Sequence, residues 1–166
     1  MRKIIFIMAK SAKEHNYCIA GKDLMTNRWI RLVSDEEGGA ISDSQSKVTF
    51  SGAQCGHPWP VKVFSVVEVE LTASAPLIGQ PENWIIGGGV WQLRNYKKKD
   101  ISLEALIDNP KDLWGVGYKI PESEAYNVDA SLYFVRVDEL RVYKNESRKQ
   151  KAEFVYNGHH LGDAFH

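Results

Sequence analysis

The sequence predicts a mainly β protein made of two small barrels packed together, with one short helix near residues 101–108. Three observations predict it. Short runs of β-branched and aromatic residues recur between Gly-, Pro-, Asn- and Ser-rich turns, and Ile101 to Asp108 is the best helical stretch. A length of 166 residues suits one ordinary domain, or two small ones sharing an interface. Each half offers short strands, long loops and a basic, aromatic segment, although no strict repeat is present.

Ile4 to Met8 is a β-rich run too short for an ordinary helix, expected as a strand buried on both faces. Lys10 to Asn16 then leaves the sheet. Tyr17 to Ala20 resumes a strand, and Gly21 permits a bulge or the close approach of another backbone. Thr26-Asn27 is turn chemistry before a strand over Trp29 to Val33. From Ser34 to Gly56 the composition shifts to Ser, Gly, Asp and Glu, with Ile41, Val48 and Phe50 as the obvious anchors, so a long surface loop or loosely tied insertion is expected.

After His57-Pro58-Trp59-Pro60, the partial alternation from Val61 to Leu71 predicts one long, half-buried antiparallel strand. Gln80 to Trp84 ends a connection, and Gly87-Gly88-Gly89 follows. That triplet lacks the GxGxxG spacing and the following helix of a dinucleotide site, and the Lys-Ser/Thr of a P-loop, so it reads as a flexible joint. A soft boundary is placed there, giving a first barrel over residues 1–88 and a second over 89–166. Asp100 or Ser102 can cap the short helix, Leu103, Leu106 and Ile107 form its stripe, and Asn109-Pro110 ends it. Leu132 to Val137, Leu140 to Tyr143 and Ala152 to Tyr156 are expected strands, the last ending at Asn157-Gly158.

Composition narrows the function. Lys plus Arg equals Asp plus Glu at 21 each, so the chain lacks the global positive charge of a non-specific duplex binder, and any nucleic-acid contact must be local. Cys18 and Cys55 are too few for a disulfide framework and lack the spacing of a zinc site, which points to a reducing cytoplasm. The apolar run Ile4 to Met8 is too short for a signal-peptide core. No apolar run approaches the roughly 20 residues that span a bilayer, so no membrane partner is expected.

The most informative stretch is Ala9 to Ser34. It places Ser11, Lys13, Lys22, Trp29 and Arg31 within one hairpin's reach, a set that could grip a ligand bearing phosphate and base. Tyr17, Trp59, Trp84 and Trp91 are further stacking candidates. Trp29 and Trp84, bounded by Ile or Arg, read more readily as core side chains, whereas Trp59 between prolines and Trp91 after the glycines are expected to be partly exposed. Arg31 alternates with Ile30 and Leu32, which puts it on the opposite face, where its fork could meet phosphate or carboxylate. Lys97 to Lys99 reads as a solvated face. His159-His160 with Asp163 and His166 makes a poor metal set, because adjacent histidines on a strand point apart. Cys18 beside His15 reads as a buried strand cysteine. Glu82 with Asn83 either orients a ligand or caps a turn. No catalytic residue, cofactor or metal is assigned.

Ser11 and Lys13, the strand Cys18-Ile19-Ala20-Gly21, Trp29-Ile30-Arg31 with Val33-Ser34, Glu82-Asn83-Trp84, Ser131-Leu132-Tyr133 and Tyr156-Asn157-Gly158 together resemble the dual OB domain family, over nearly the whole chain. Two departures stand out: Leu32 sits where a proline is usual in that family, and the chain stops soon after its last strand. The resemblance implies two OB-like barrels and a nucleic-acid or nucleotide-binding module, with single-stranded nucleic acid as partner, of the kind found in bacterial conflict systems. Ser11, Lys13 and Arg31 would then contact phosphate, Tyr17 or Trp29 would stack, and Lys22, Glu82 and Asn83 would complete the site. The alternatives are a small enzyme acting on a nucleotide, with Glu82 and a lysine as acid and base, and a protein-interaction module of a larger assembly.

Overall fold

A computed structural model describes residues 1–13, 16–50, 57–96, 100–113 and 122–162. The chain divides into two compact units, Met1–Ser102 and Leu103–His166.

In the first unit, β1 (Arg2–Lys13) and β2 (Asn16–Asp23) form a long antiparallel hairpin, and β3 (Trp29–Val33) pairs back on β2. The turn between β2 and β3 is built on Asp23, whose carboxylate takes the Met25 amide at 3.0 Å, the Thr26 hydroxyl at 2.9 Å and the Lys3 ammonium at 2.8 Å. Asn27 completes that turn at φ 55°, a conformation that asparagine tolerates. Gly21 lies so close to β1 that an added Cβ would stand 2.1 Å from the Phe6 carbonyl oxygen. The pairing register slips beside it, between Ile7 and Ala9, so both expectations for this glycine are met in one place.

The expected surface loop after Ser34 is instead tied to the sheet. It contains β4 (Ile41–Ser42), which pairs with β2, and β5 (Lys47–Phe50). Ile41 and Val48 are fully buried, and burying two branched apolar side chains is what fixes so polar a segment. Residues 51–56 of that stretch lie outside the described residues. Then follow β6 (Trp59–Pro60), β7 (Val66–Ser74), β8 (Asn83–Ile86) and β9 (Trp91–Leu93).

The long strand expected over Val61 to Leu71 begins only at Val66. A turn over Lys62–Ser65, closed by the Ser65 amide on the Lys62 carbonyl at 3.2 Å, interrupts the alternation. Within β7 the alternation holds, with Val67, Val69 and Leu71 buried and Glu68 and Glu70 on the other face.

Strand β7 pairs with both β8 and β1, and β8 runs parallel to β3, so β1, β2, β3, β8 and β7 close into a five-stranded barrel. This matches the small Greek-key barrel of the OB type. Strand β9 extends the sheet from β7 to β5 and β6. The core joins Ile5 and Ile7 of β1, Ile19 of β2, Ile30 and Leu32 of β3, and Val67 to Leu71 of β7 with Trp91. Trp91, expected to be partly exposed, is 1% exposed. Among the described residues it is the largest fully buried side chain, and it ties β9 to the first unit, which runs to Ser102.

The second unit opens with the helix α1 (Leu103–Leu106), burying Leu106, and carries a 3-10 turn over Glu122–Asn127. Its sheet is antiparallel in the order β10 (Glu139–Lys144), β11 (Gln150–Tyr156), β12 (His159–Gly162). Asn157 at φ 50° and Gly158 at φ 80° make the two-residue turn between β11 and β12. Leu132–Val137, an expected strand, is not one. Phe134 exchanges bonds with Asp108 instead, donating its amide to the carboxylate and accepting the Asp108 amide, each at 2.7 Å. Among the described residues, no helix is long and apolar enough to cross a membrane.

Candidate nucleic-acid interface

Alternation along β2 and β3 sends Ile19, Ile30 and Leu32 into the barrel and Lys22, Trp29 and Arg31 to its outer face. Pairing then aligns them in rows: Lys22 beside Trp29, and Ala20 beside Arg31 beside Asn83 of β8. Four of the residues expected to hold a ligand, Lys22, Trp29, Arg31 and Asn83, therefore stand on one strip, with Glu82 at its edge. That strip is not open. Lys22 and Asn83 are fully buried, Ala20 and Val33 are nearly so, and Glu82 is 9% exposed.

Each side chain of the strip is engaged within the fold. The Lys22 ammonium lies 5.5 Å from the Trp29 ring centroid, a cation over an aromatic face. Arg31 Nη2 is 3.7 Å from Glu82 Oε1, and the Arg31 amide donates to the Glu82 carbonyl at 2.9 Å. Asn83 Nδ2 donates to Gln80 Oε1 at 3.2 Å. Lys22 and Asn83, both expected to contact a ligand, are fully buried in the structure. Arg31, Glu82 and Asn83 instead fasten the parallel junction of β3 with β8, on which barrel closure depends.

The other expected residues lie on the arms of the β1–β2 hairpin. Ser11 is exposed opposite Cys18, Ala12 pairs with Tyr17, and Lys13 is opposite Asn16 at the end of the ladder. Cys18 lies on the outer phase of β2 and is exposed, not the buried strand cysteine expected. Tyr17 falls on the inner phase, so its ring packs partly on the core at the barrel mouth.

Around Tyr17 a connected group assembles. Lys10 Nζ sits 4.0 Å over the Tyr17 ring and donates to the Val61 carbonyl at 3.1 Å. The Tyr17 hydroxyl donates to Asp43 at 3.4 Å, and Lys47 pairs with Asp43 at 3.3 Å. Burial lowers the Lys10 pKa from its ordinary value, and the nearby Asp43 charge acts in the opposite direction. Strand β5 then brings Val48 opposite Trp59. Two residues on, and on the same face, Phe50 runs past the end of the core. Its ring meets Trp59 at 5.0 Å with an interplanar angle of 55°, and Phe50 is 52% exposed. The expectation that Trp59 is partly exposed holds.

Strands β2, β5 and β6 thus present partly exposed Tyr17 and Trp59 and exposed Phe50, with Lys10 over the Tyr17 ring and Lys47 paired to Asp43. Aromatic faces interleaved with cations are what single-strand binders use, each stacked base contributing about 1–3 kcal/mol. Phe50, expected as an anchor, is 52% exposed. The available signal was its position two residues beyond a core valine at a strand end.

A second concavity of about 310 Å³ lies outside β1, β7 and β9, lined by Arg2, Glu68, Glu70, Gln92 and Arg94. Glu68 accepts from both Arg2, at 3.3 Å, and Arg94. The Arg94 hydrogen bond, outweighing burial and aided by both guanidinium charges, holds the Glu68 carboxyl below the usual range. Two cations and two carboxylates balance there, so the cleft carries no net attraction for a polyanion. The glycine triplet borders it, with Gly87 donating to the Glu70 carbonyl at 2.7 Å.

No group of three His, Cys, Asp or Glu residues able to hold a metal occurs among the described residues. His159 and His160 are exposed on adjacent positions of β12. Asp163, His166, His15, Cys55 and Lys97 to Lys99 lie outside the described residues. A family model described as the dual OB-containing domain matches residues 3–162. No curated protein and no solved structure matches the chain.

Proposed function

Because the chain belongs to the dual OB-containing domain family, we propose that its first unit binds single-stranded nucleic acid at the barrel mouth. The observations that carry this reading are the pairing of the exposed Phe50 ring with Trp59 and the Lys10–Tyr17 contact. Bases stack on Phe50 and Trp59, while Lys47 and exposed Lys62 meet phosphates and Ser11 offers a hydroxyl from the hairpin arm. Tyr17 and Lys10 hold the rim in place. A cytoplasmic role in a bacterial defence or conflict system is the setting we favour, on the family resemblance.

With zero formal net charge, attraction comes from these few cations and not from the whole surface. The test is fluorescence anisotropy with a labelled single-stranded oligonucleotide, titrated at low and high salt, for the wild type and for Phe50→Ala. Binding that weakens with salt and falls in the variant is expected. Absence of binding at low ionic strength would remove the reading.

A further inference from the structure

Phe64 stands out because its backbone and its side chain give opposite signals. Its φ is 67°, in the left-handed region where a bulky side chain is a genuine outlier. It occupies the third position of the Lys62–Ser65 turn, where glycine or asparagine is the ordinary choice. The turn is hydrogen-bonded to β1 through backbone atoms: the Phe64 amide donates to the Ile7 carbonyl at 2.7 Å, and the Ile7 amide to the Ser65 carbonyl at 2.9 Å. Glycine at this position would make the same bonds without strain.

Packing does not explain the phenyl ring either. It stacks on Phe6 at 5.9 Å with an interplanar angle of 28°, yet Phe64 is 62% exposed. A strained residue that leaves most of a large apolar side chain in water is the combination expected where strain serves binding. Its surroundings indicate the ligand. Lys62 and Val63 beside it are exposed, and Trp59 lies three residues before Lys62. Ring, cation and ring therefore follow one another along one short stretch of chain, Trp59, Lys62 and Phe64.

We propose that Phe64 is a stacking subsite for one unpaired nucleobase, with Lys62 on the adjoining phosphate. This rests on the reading that the protein binds single-stranded nucleic acid, and it adds a position outside the Phe50–Trp59 pair. The held turn presents the ring in advance, so no ordering of a flexible side chain opposes binding.

The experiment uses the full chain with Phe64→Gly, Phe64→Leu and Phe64→Trp, measuring thermal midpoint and anisotropy affinity for the same labelled oligonucleotide. Phe64→Gly should melt at or above the wild-type temperature and bind about tenfold more weakly. Phe64→Leu keeps an apolar cover on Phe6 but has no aromatic face, and should also bind weakly, while Phe64→Trp should retain affinity. Wild-type affinity in Phe64→Leu would show that the ring only covers Phe6 and would overturn the inference. If Phe64→Gly and Phe64→Leu both bind normally while Phe50→Ala does not, the subsite fails and the mouth reading stands. A wild type that does not bind overturns both. Weak binding of a single-stranded oligonucleotide by Phe64→Leu with an unchanged melting temperature is the result that supports the subsite over a protein-docking role.

Discussion

Arg31 and Glu82 face each other across the parallel pairing of β3 with β8, joined by an ion pair at 3.7 Å and a backbone bond at 2.9 Å. Their side chains are 22% and 7% exposed, so the pair works largely out of water, where loss of one member is costly. Arg31→Ala should therefore destabilise the first unit by about 2 kcal/mol and leave oligonucleotide affinity within about twofold. Chemical denaturation followed by tryptophan fluorescence checks the first, and anisotropy the second. A variant that melts like the wild type but no longer binds would return Arg31 to the interface.

How far these roles could be read in advance depends on which face a residue occupies and what lies over that face. Alternation correctly separated Ile30 and Leu32 from Arg31, and turn chemistry at Asn27 placed the β2–β3 hairpin. Neither says whether an outer face is open. Lys22 carries the charge of a surface residue and is fully buried, while Cys18, four positions earlier on the same phase of β2, is exposed. Trp91 follows three glycines and yet fills the core, because β9 pairs with β5 and β7, partners remote in sequence. The closure of β3 on β8 likewise joins residues about fifty positions apart, a long-range pairing that local pattern does not encode.

Asp23 gives the fold a defined acid limit. Burial acts to raise its pKa, but the Lys3 ammonium, the Met25 amide and the Thr26 hydroxyl outweigh it and hold the carboxyl below its ordinary value. A carboxyl with a lower pKa folded than unfolded contributes stability above the unfolded value, about pH 4. That contribution disappears as pH falls through the folded value. Asp23→Asn should be less stable than wild type at pH 7 by about 1–3 kcal/mol, and the gap should close below about pH 4. Thermal melts from pH 7 down to pH 2 measure it. A gap independent of pH would show that the charge of Asp23 contributes nothing.

Nucleic-acid affinity should depend on few charges. If Lys47 and Lys62 meet phosphates, the logarithm of the binding constant should fall against the logarithm of salt with a slope of about −1.4, from roughly −0.7 per contact on single strands. Phe50→Ala should weaken binding by about tenfold with that slope unchanged, since it removes stacking and no charge. Lys47→Ala should make the slope shallower by somewhat under one. A steep slope near −6 would instead place the strand along cations far from the mouth.

The tightest local constraint lies at Gly21, where a Cβ would stand 2.1 Å from the Phe6 carbonyl oxygen and 2.8 Å from the Ile5 Cγ2. The closer atom belongs to the backbone and cannot rotate aside. Making room would part β1 from β2 at the rungs where Ile7 meets Gly21 and Phe6 meets Lys22, beside the register slip between Ile7 and Ala9. Gly21→Ala should then cost roughly 3 kcal/mol or more. Gly88, with nothing within 4 Å, is the control, and Gly88→Ala should change stability by no more than about 0.5 kcal/mol. Denaturant midpoints for the two variants separate a glycine needed for close strand approach from one in open space. Equal midpoints would mean that the hairpin can open at its bend without loss, and the rim that holds Tyr17 and Lys10 would then not be set by β1–β2 pairing.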